Sequence, residues 1–155
     1  MILQKSSQSV TFDSMMGVIR EKLSGGGDVL ISASGNSMYP LFRHQKDQVR
    51  LSQAEREQLK KYDMILYQRD SGQYVLHRIV GIGEKGFILR GDAQTVNEYP
   101  IREDQVIAKV SGFVRKGREH SCDEALYRLY VLVWTHTVLL RRIYRKGKSI
   151  LGKIV

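Results

Sequence analysis

The chain of 155 residues has one cysteine, Cys122, so it can form no internal disulfide, and its fold is expected not to depend on an oxidising compartment. Its first residues, MILQKSSQSVTFD, have neither a basic leading region nor an apolar stretch, and no secretory signal is visible. No run reaches the roughly 18–20 uncharged apolar residues that cross a bilayer. The nearest, LYVLVWTHTVLL at 129–140, is too short and carries His136. Low-complexity tracts are missing too, and 42% hydrophobic with 26% charged residues is the composition of an ordinary folded chain, which argues against disorder. At this length a single domain with a real core is expected.

Acidic residues are scarce in one region only. Residues 1–110 hold 15 Lys/Arg and 13 Asp/Glu, whereas residues 111–155 hold 10 and 3, so most of the net charge of +9 sits in the tail. A nucleic-acid-binding domain would more often spread basic residues over a folded face and interleave them with aromatics. Nucleic acid is therefore not the favoured partner. A basic tail beside an apolar helix fits an anionic membrane surface, met by residues 123–155, or an acidic protein.

The spacing of Phe12, Met15, Met16, Ile19 and Leu23 predicts an amphipathic helix over 9–23, with Ser9 or Thr11 as cap and the GGG at 25–27 as its end. Short strands follow: DVLISAS (28–34), QVRLS (48–52), MILYQ (64–68), YVLHRIVGI (74–82), GFILRG (86–91) and QVIAKVSGFVRK (105–116). Their Gly- and Asp-rich separators suggest antiparallel hairpins. QAEREQLKK (53–61) reads as a polar loop or short helical turn. From Asp123 to Lys146 the helical period returns, with Leu126, Leu129, Tyr130, Val133, Leu140 and Tyr144 as the apolar face, widened by Leu132, Leu139 and Ile143. The fold class expected is mainly β: short antiparallel strands flanked by an N-terminal and a C-terminal helix. The divisions are 1–27 (helix and glycine linker), 28–116 (β-rich core) and 117–155 (basic helix and tail).

GNSMYPLFRHQKDQV (35–49) is the stretch that asks for a chemical explanation. Gly35 lets the backbone turn tightly and Pro40 restricts it just beyond, which can hold Ser37 at a strand end with its N–H facing a substrate. A serine hydroxyl attacks a carbonyl only when a base takes its proton and N–H donors hold the oxyanion. His77 is the candidate base, since alternation along YVLHRIV puts it on one face with Val75 and Ile79, where burial would keep it neutral. A carboxylate should orient the imidazole, and GDAQTVNEY (91–99) offers Asp92 and Glu98, between which spacing does not choose.

The blocks GNSMYPLF (35–42), KDQV (46–49), KKYDMILY (60–67), YVLHRIVGI (74–82), FILRGDAQ (87–94) and EDQVIAKVSG (103–112), in this order, resemble the type I signal peptidase and SOS-repressor superfamily of serine peptidases. They are most similar to a small, soluble bacterial branch of it, over about residues 28–114. The resemblance implies the superfamily's β core, with peptide bound as an added strand beside the site. It implies Ser37 as nucleophile and His77 as base in the manner of the endoplasmic-reticulum-type signal peptidases. Asp92 and Glu98 would be the acidic positions, Glu98 one methylene longer than the usual aspartate. Gly35 stands where some members carry a serine that helps bind the oxyanion, which would leave that task to backbone N–H groups around Ser37, Asn36 and Met38 or to the side chains of Ser34 or Asn36.

Other departures are Lys46-Asp47 and Tyr62-Asp63 where the family has Gly-Asp, and no N-terminal membrane anchor. The function implied is a cytoplasmic serine endopeptidase, at most peripheral to the inner face of a membrane, that cleaves a peptide or protein substrate without metal or cofactor. The rival reading is a non-catalytic peptide- or partner-binding module on the same fold, docked through its basic C-terminal helix.

Overall fold

The computed structural model of the chain describes residues 9–138 and residue 143, with side chains from residue 14 onward. Helix α1 (Ser9–Ser24) buries Met16, Ile19 and Leu23, one stripe at helical spacing, and leaves Met15 exposed. The side chain of Phe12, expected on the same stripe, lies outside the described residues. The helix ends where Gly25, Gly26 and Gly27 donate their N–H groups to the carbonyls of Glu21, Leu23 and Lys22, with Gly26 at a φ of +76° that favours glycine.

Eight antiparallel strands follow: β1 (Val29–Ser32), β2 (Gln48–Gln53), β3 (Met64–Gln68), β4 (Tyr74–Gly83), β5 (Gly86–Arg90), β6 (Glu98–Ile101), β7 (Val106–Arg115) and β8 (Arg118–Ser121). They form one sheet in the order β1-β2-β7-β3-β4-β5-β6, with β8 paired to β7 off that path. The polar 53–61 segment contributes a single 3₁₀ turn, Arg56–Gln58, and a second, Glu103–Gln105, precedes β7. The mainly β class with a helix at each end is what the periodicity predicts.

Both faces of the central strands are buried, because Met64 through Tyr67 and Tyr74 through Ile79 are buried without interruption. Alternate residues enter different cores. Met64, Leu66, Tyr74 and Leu76 join α1, the Met38–Phe42 turn and the C-terminal helix α2 (Ala125–His136). Ile65, Tyr67, Val75 and Ile79 pack with Phe87, Leu89, Ile101 and Val106. The register shifts at Leu66/Tyr67, Ile79/Gly81 and Phe87/Leu89 are irregularities of the kind that bend strands and raise their twist.

Two strands escape the sequence pattern. β6 (EYPI) contains Pro100, which a central strand excludes, and it is an edge strand held only by β5. β8 is polar and joins β7 through the two-residue turn Lys116-Gly117, both at positive φ, so the boundary expected after residue 116 falls inside a hairpin.

The packing face of α2 also differs from the expected one. Tyr127 and Val131 are buried and Tyr130 and Trp134 half-buried, whereas Leu126, Leu129 and Val133 face outward. The helix is apolar on both sides, so periodicity does not say which side packs. Polar atoms decide: Tyr127, Tyr130 and Trp134 carry hydrogen-bonding tips that reach the buried pair Arg78–Asp92, and leucines have none. Leu140 and Tyr144, expected on the apolar face, lie outside the described residues.

Candidate active site

β1 runs into the turn that carries Ser37. Gly35, expected with Asn36 and Met38 at the oxyanion or substrate site, has a φ of +84° and gives its N–H to His44 Nδ1 at 2.8 Å, so that N–H is already taken and the residue's role is conformational. Tyr39 N–H bonds the Asn36 carbonyl and Phe42 N–H the Met38 carbonyl, while Met38, Leu41 and Phe42 are buried. Met38, expected at the substrate or oxyanion site, thus sends its side chain into the core. Buried Asp47 closes the segment by accepting from Arg43 N–H and guanidinium, so the acid that ends this stretch is structural. Among the described residues no acceptor takes the N–H groups of Asn36, Ser37 or Met38, and Asn36 is exposed. These are the groups present for an oxyanion.

His77 is fully buried on β4, on the face of Val75 and Ile79, as the alternation predicts. Its Nδ1 lies 3.2 Å from Glu98 Oε1 and 3.3 Å from Tyr67 Oη. Tyr67 is already donating its one proton to Glu98 Oε2 at 2.8 Å, so the proton between the ring and either oxygen belongs to His77 Nδ1. Nε2 is then the bare nitrogen, a base with an open lone pair. Burial lowers the His77 pKa to about 4 despite the hydrogen bond to Glu98, so the ring is neutral at pH 7. Burial alone would raise the Glu98 carboxyl, but hydrogen bonds from His77, Arg69 and Tyr67 outweigh it and hold the group well below the usual carboxylate range. Arg69 binds both Glu98 oxygens, through Nε at 2.9 Å and through Nη2.

Of the two candidate acids, Glu98 is therefore the one at the imidazole. Asp92 lies on the other side of β4, where its two oxygens take Nε and Nη2 of Arg78, both at 2.8 Å. Strand alternation is the reason: His77 and Arg78 are adjacent and point to opposite faces. Asp92 was expected as an alternative orienter of His77, and the structure gives it instead to Arg78, Tyr130 Oη (3.3 Å) and, through its carbonyl, Trp134 Nε1 (2.8 Å).

The Ser37 main chain and the His77 ring both approach Gly91. A Cβ placed there would lie 2.6 Å from the Ser37 carbonyl oxygen and 3.0 Å from His77 Nε2, so these two atoms are no farther apart than the sum of those distances. The Ser37 carbonyl also accepts Ala93 N–H at 2.8 Å, which ties the serine turn to the 91–94 turn. Ser37 Oγ and His77 Nε2 are both buried and neither has a hydrogen-bond partner. The two atoms do not bond each other, and Ser111 Oγ and Arg115 Nε are buried without a partner as well; buried polar atoms are seldom left so, and each asks for an explanation. Gly91→Ala is expected to push the serine turn off the imidazole, costing about 1–3 kcal/mol of stability and most of any reactivity at Ser37; unchanged values for both would show that the two turns do not touch.

Sequence reasoning missed Tyr67, Arg69 and Gly91. The signal for Tyr67 was present, since a hairpin around DSG (70–72) pairs Tyr67 with Val75 and sets it on the face of His77. A cavity of about 500 Å³ opens elsewhere, between the 55–63 segment, β7 and α2, lined by Lys60, Asp63, Lys109, Cys122, Tyr127 and Leu132 among others; neither Ser37 nor His77 borders it. Burial there raises the Cys122 thiol to about 11, which leaves it an unreactive thiol at pH 7. Among the described residues no group of three or more His, Cys, Asp or Glu side chains is placed to hold a metal ion, and no helix is long and apolar enough to cross a membrane. No family model and no curated protein matches the chain.

Proposed function

We propose that the chain is a serine endopeptidase of the signal- or leader-peptidase kind, acting through an acyl-enzyme formed on Ser37. The observation that carries this reading is the convergence at Gly91 of a serine turn and a buried imidazole whose Nδ1 is held by Glu98 and Tyr67 and whose Nε2 is open. Nε2 takes the Ser37 proton as Oγ bonds to the scissile carbonyl carbon. The N–H groups of residues 36–38 receive the oxyanion, and the imidazolium, stabilised by ionised Glu98, returns its proton to the departing amine. Water then repeats the sequence to release the acid. A substrate strand can add along β1, whose other edge pairs with β2 and which leads directly to Ser37. On this reading the enzyme works on the cytoplasmic side.

Glu98→Gln is the informative test of the orienting group. Gln keeps the length but loses the charge, and its amide can offer a donor to Nδ1, which favours the wrong tautomer; labelling of Ser37 by an acylating probe should slow roughly 10–100-fold. A rate equal to that of the unaltered chain would remove Glu98 from the mechanism. A chain that binds peptide but is never acylated at Ser37 would be the non-catalytic module instead.

A further inference from the structure

We propose that the outward face of α2 is a docking surface for an anionic lipid bilayer. On the inner side Tyr127, Tyr130, Val131 and Trp134 complete the packing of the helix, and three of them are fastened by hydrogen bonds to Arg78 and Asp92. On the outer side Leu126, Leu129 and Val133 remain 80%, 58% and 56% exposed, with Leu132 beside them and Ile143 exposed farther along. A helix apolar on both sides is ordinarily buried on both. The leucine stripe is thus an apolar surface on a rigid mount, with something still to cover it.

Charge selects the occupant. The chain that continues from this helix, residues 137–155, carries Arg141, Arg142, Arg145, Lys146, Lys148 and Lys153 and no acidic residue. Apolar side chains followed by an uninterrupted basic segment match a bilayer interface with anionic headgroups, where the leucines enter the acyl boundary and the cations stay among the phosphates. A second copy is a poor match. A copy of this chain offers the basic segment no excess of acidic groups, since its net charge is +9, and a 12-residue helix is far smaller than the 20–30 residues a side of a stable interface. The surface lies about one helix diameter, roughly 10–12 Å, from the Arg78–Asp92 pair and its inference does not require Ser37 to be a nucleophile. If Ser37 is one, docking holds the enzyme where membrane-bound substrates emerge.

The full chain should co-float with phosphatidylcholine vesicles containing phosphatidylglycerol and not with phosphatidylcholine alone. Raising the salt from about 0.05 M to about 0.5 M should release it. The double substitution Leu126→Gln with Leu129→Gln, at exposed positions, should lower partitioning roughly tenfold or more with an unchanged Tm. Flotation that ignores lipid charge, that survives the double substitution, or that is absent with anionic vesicles overturns the proposal. So does a concentration-dependent dimer that the double substitution dissolves.

Discussion

Ser37→Ala is expected to abolish labelling by a serine-directed acylating probe, and His77→Ala to slow it by roughly 10³–10⁴-fold. Ser37→Ala should leave the Tm unchanged or slightly raised, since it deletes a buried hydroxyl with no partner. The pH profile adds a signature that a merely structural histidine would not produce. Burial holds His77 near 4, partly offset by Glu98, so the base stays neutral across the whole neutral range and the rate should fall only as pH drops through about 4. A rate that halves near 6.5, the value of an ordinary solvated imidazole, would place a different histidine at the reaction.

The same shift predicts a stability change. Below about 6.5 the unfolded chain takes up a proton at His77 while the folded chain does not until about 4. The unfolded state binds more protons within that window, so stability rises with pH across it and is complete above it. Acidification from 6.5 toward 4 should therefore destabilise the fold by an amount of order 3 kcal/mol. His77→Phe should lack that slope, and denaturant titration at several pH values measures the difference.

The largest loss of stability is expected at Arg78 and Asp92. Removing one partner, as in Asp92→Ala, leaves a guanidinium buried without its counter-charge and should cost about 3–5 kcal/mol, which at this chain length is roughly 6–20 °C in Tm. One more group loses its acceptor with it, because Tyr130 Oη donates to Asp92 Oδ2. Trp134→Phe, which removes the indole donor to the Asp92 carbonyl and part of the ring stacked on Tyr130, should cost about 1 kcal/mol for the hydrogen bond. The damage should also reach the site. Asp92 follows Gly91, and Ala93 N–H holds the Ser37 carbonyl, so loosening this turn also loosens the serine turn. A Tm for Asp92→Ala within a degree or two of the unaltered chain would mean that the pair is not formed in solution.

Strand periodicity was enough to place β1–β5 and β7, and to set His77 on one face with Val75 and Ile79, because alternate residues of a strand share a face. Glycine and aspartate marked the turns. It was not enough for β6, whose Pro100 reads as a break, or for β8, whose four polar residues are strand only because β7 lies beside them.

The choice of orienting acid was beyond any local pattern. Asp92 and Glu98 are six residues apart, both near the end of one hairpin, and only the pairing of Leu89 with Glu98 and the opposite directions of His77 and Arg78 send one carboxylate to the imidazole and the other to the guanidinium. The same holds for α2, where two apolar faces compete and the buried Arg78–Asp92 pair chooses the one with hydroxyl and indole tips. The sequence by itself determined which residues are chemically able, through their side chains, and which residues of a strand share a face, through the period of the backbone. Which charges meet was decided by the tertiary fold alone, because a buried ionic group takes the partner that three-dimensional packing brings within reach, whatever its distance along the chain.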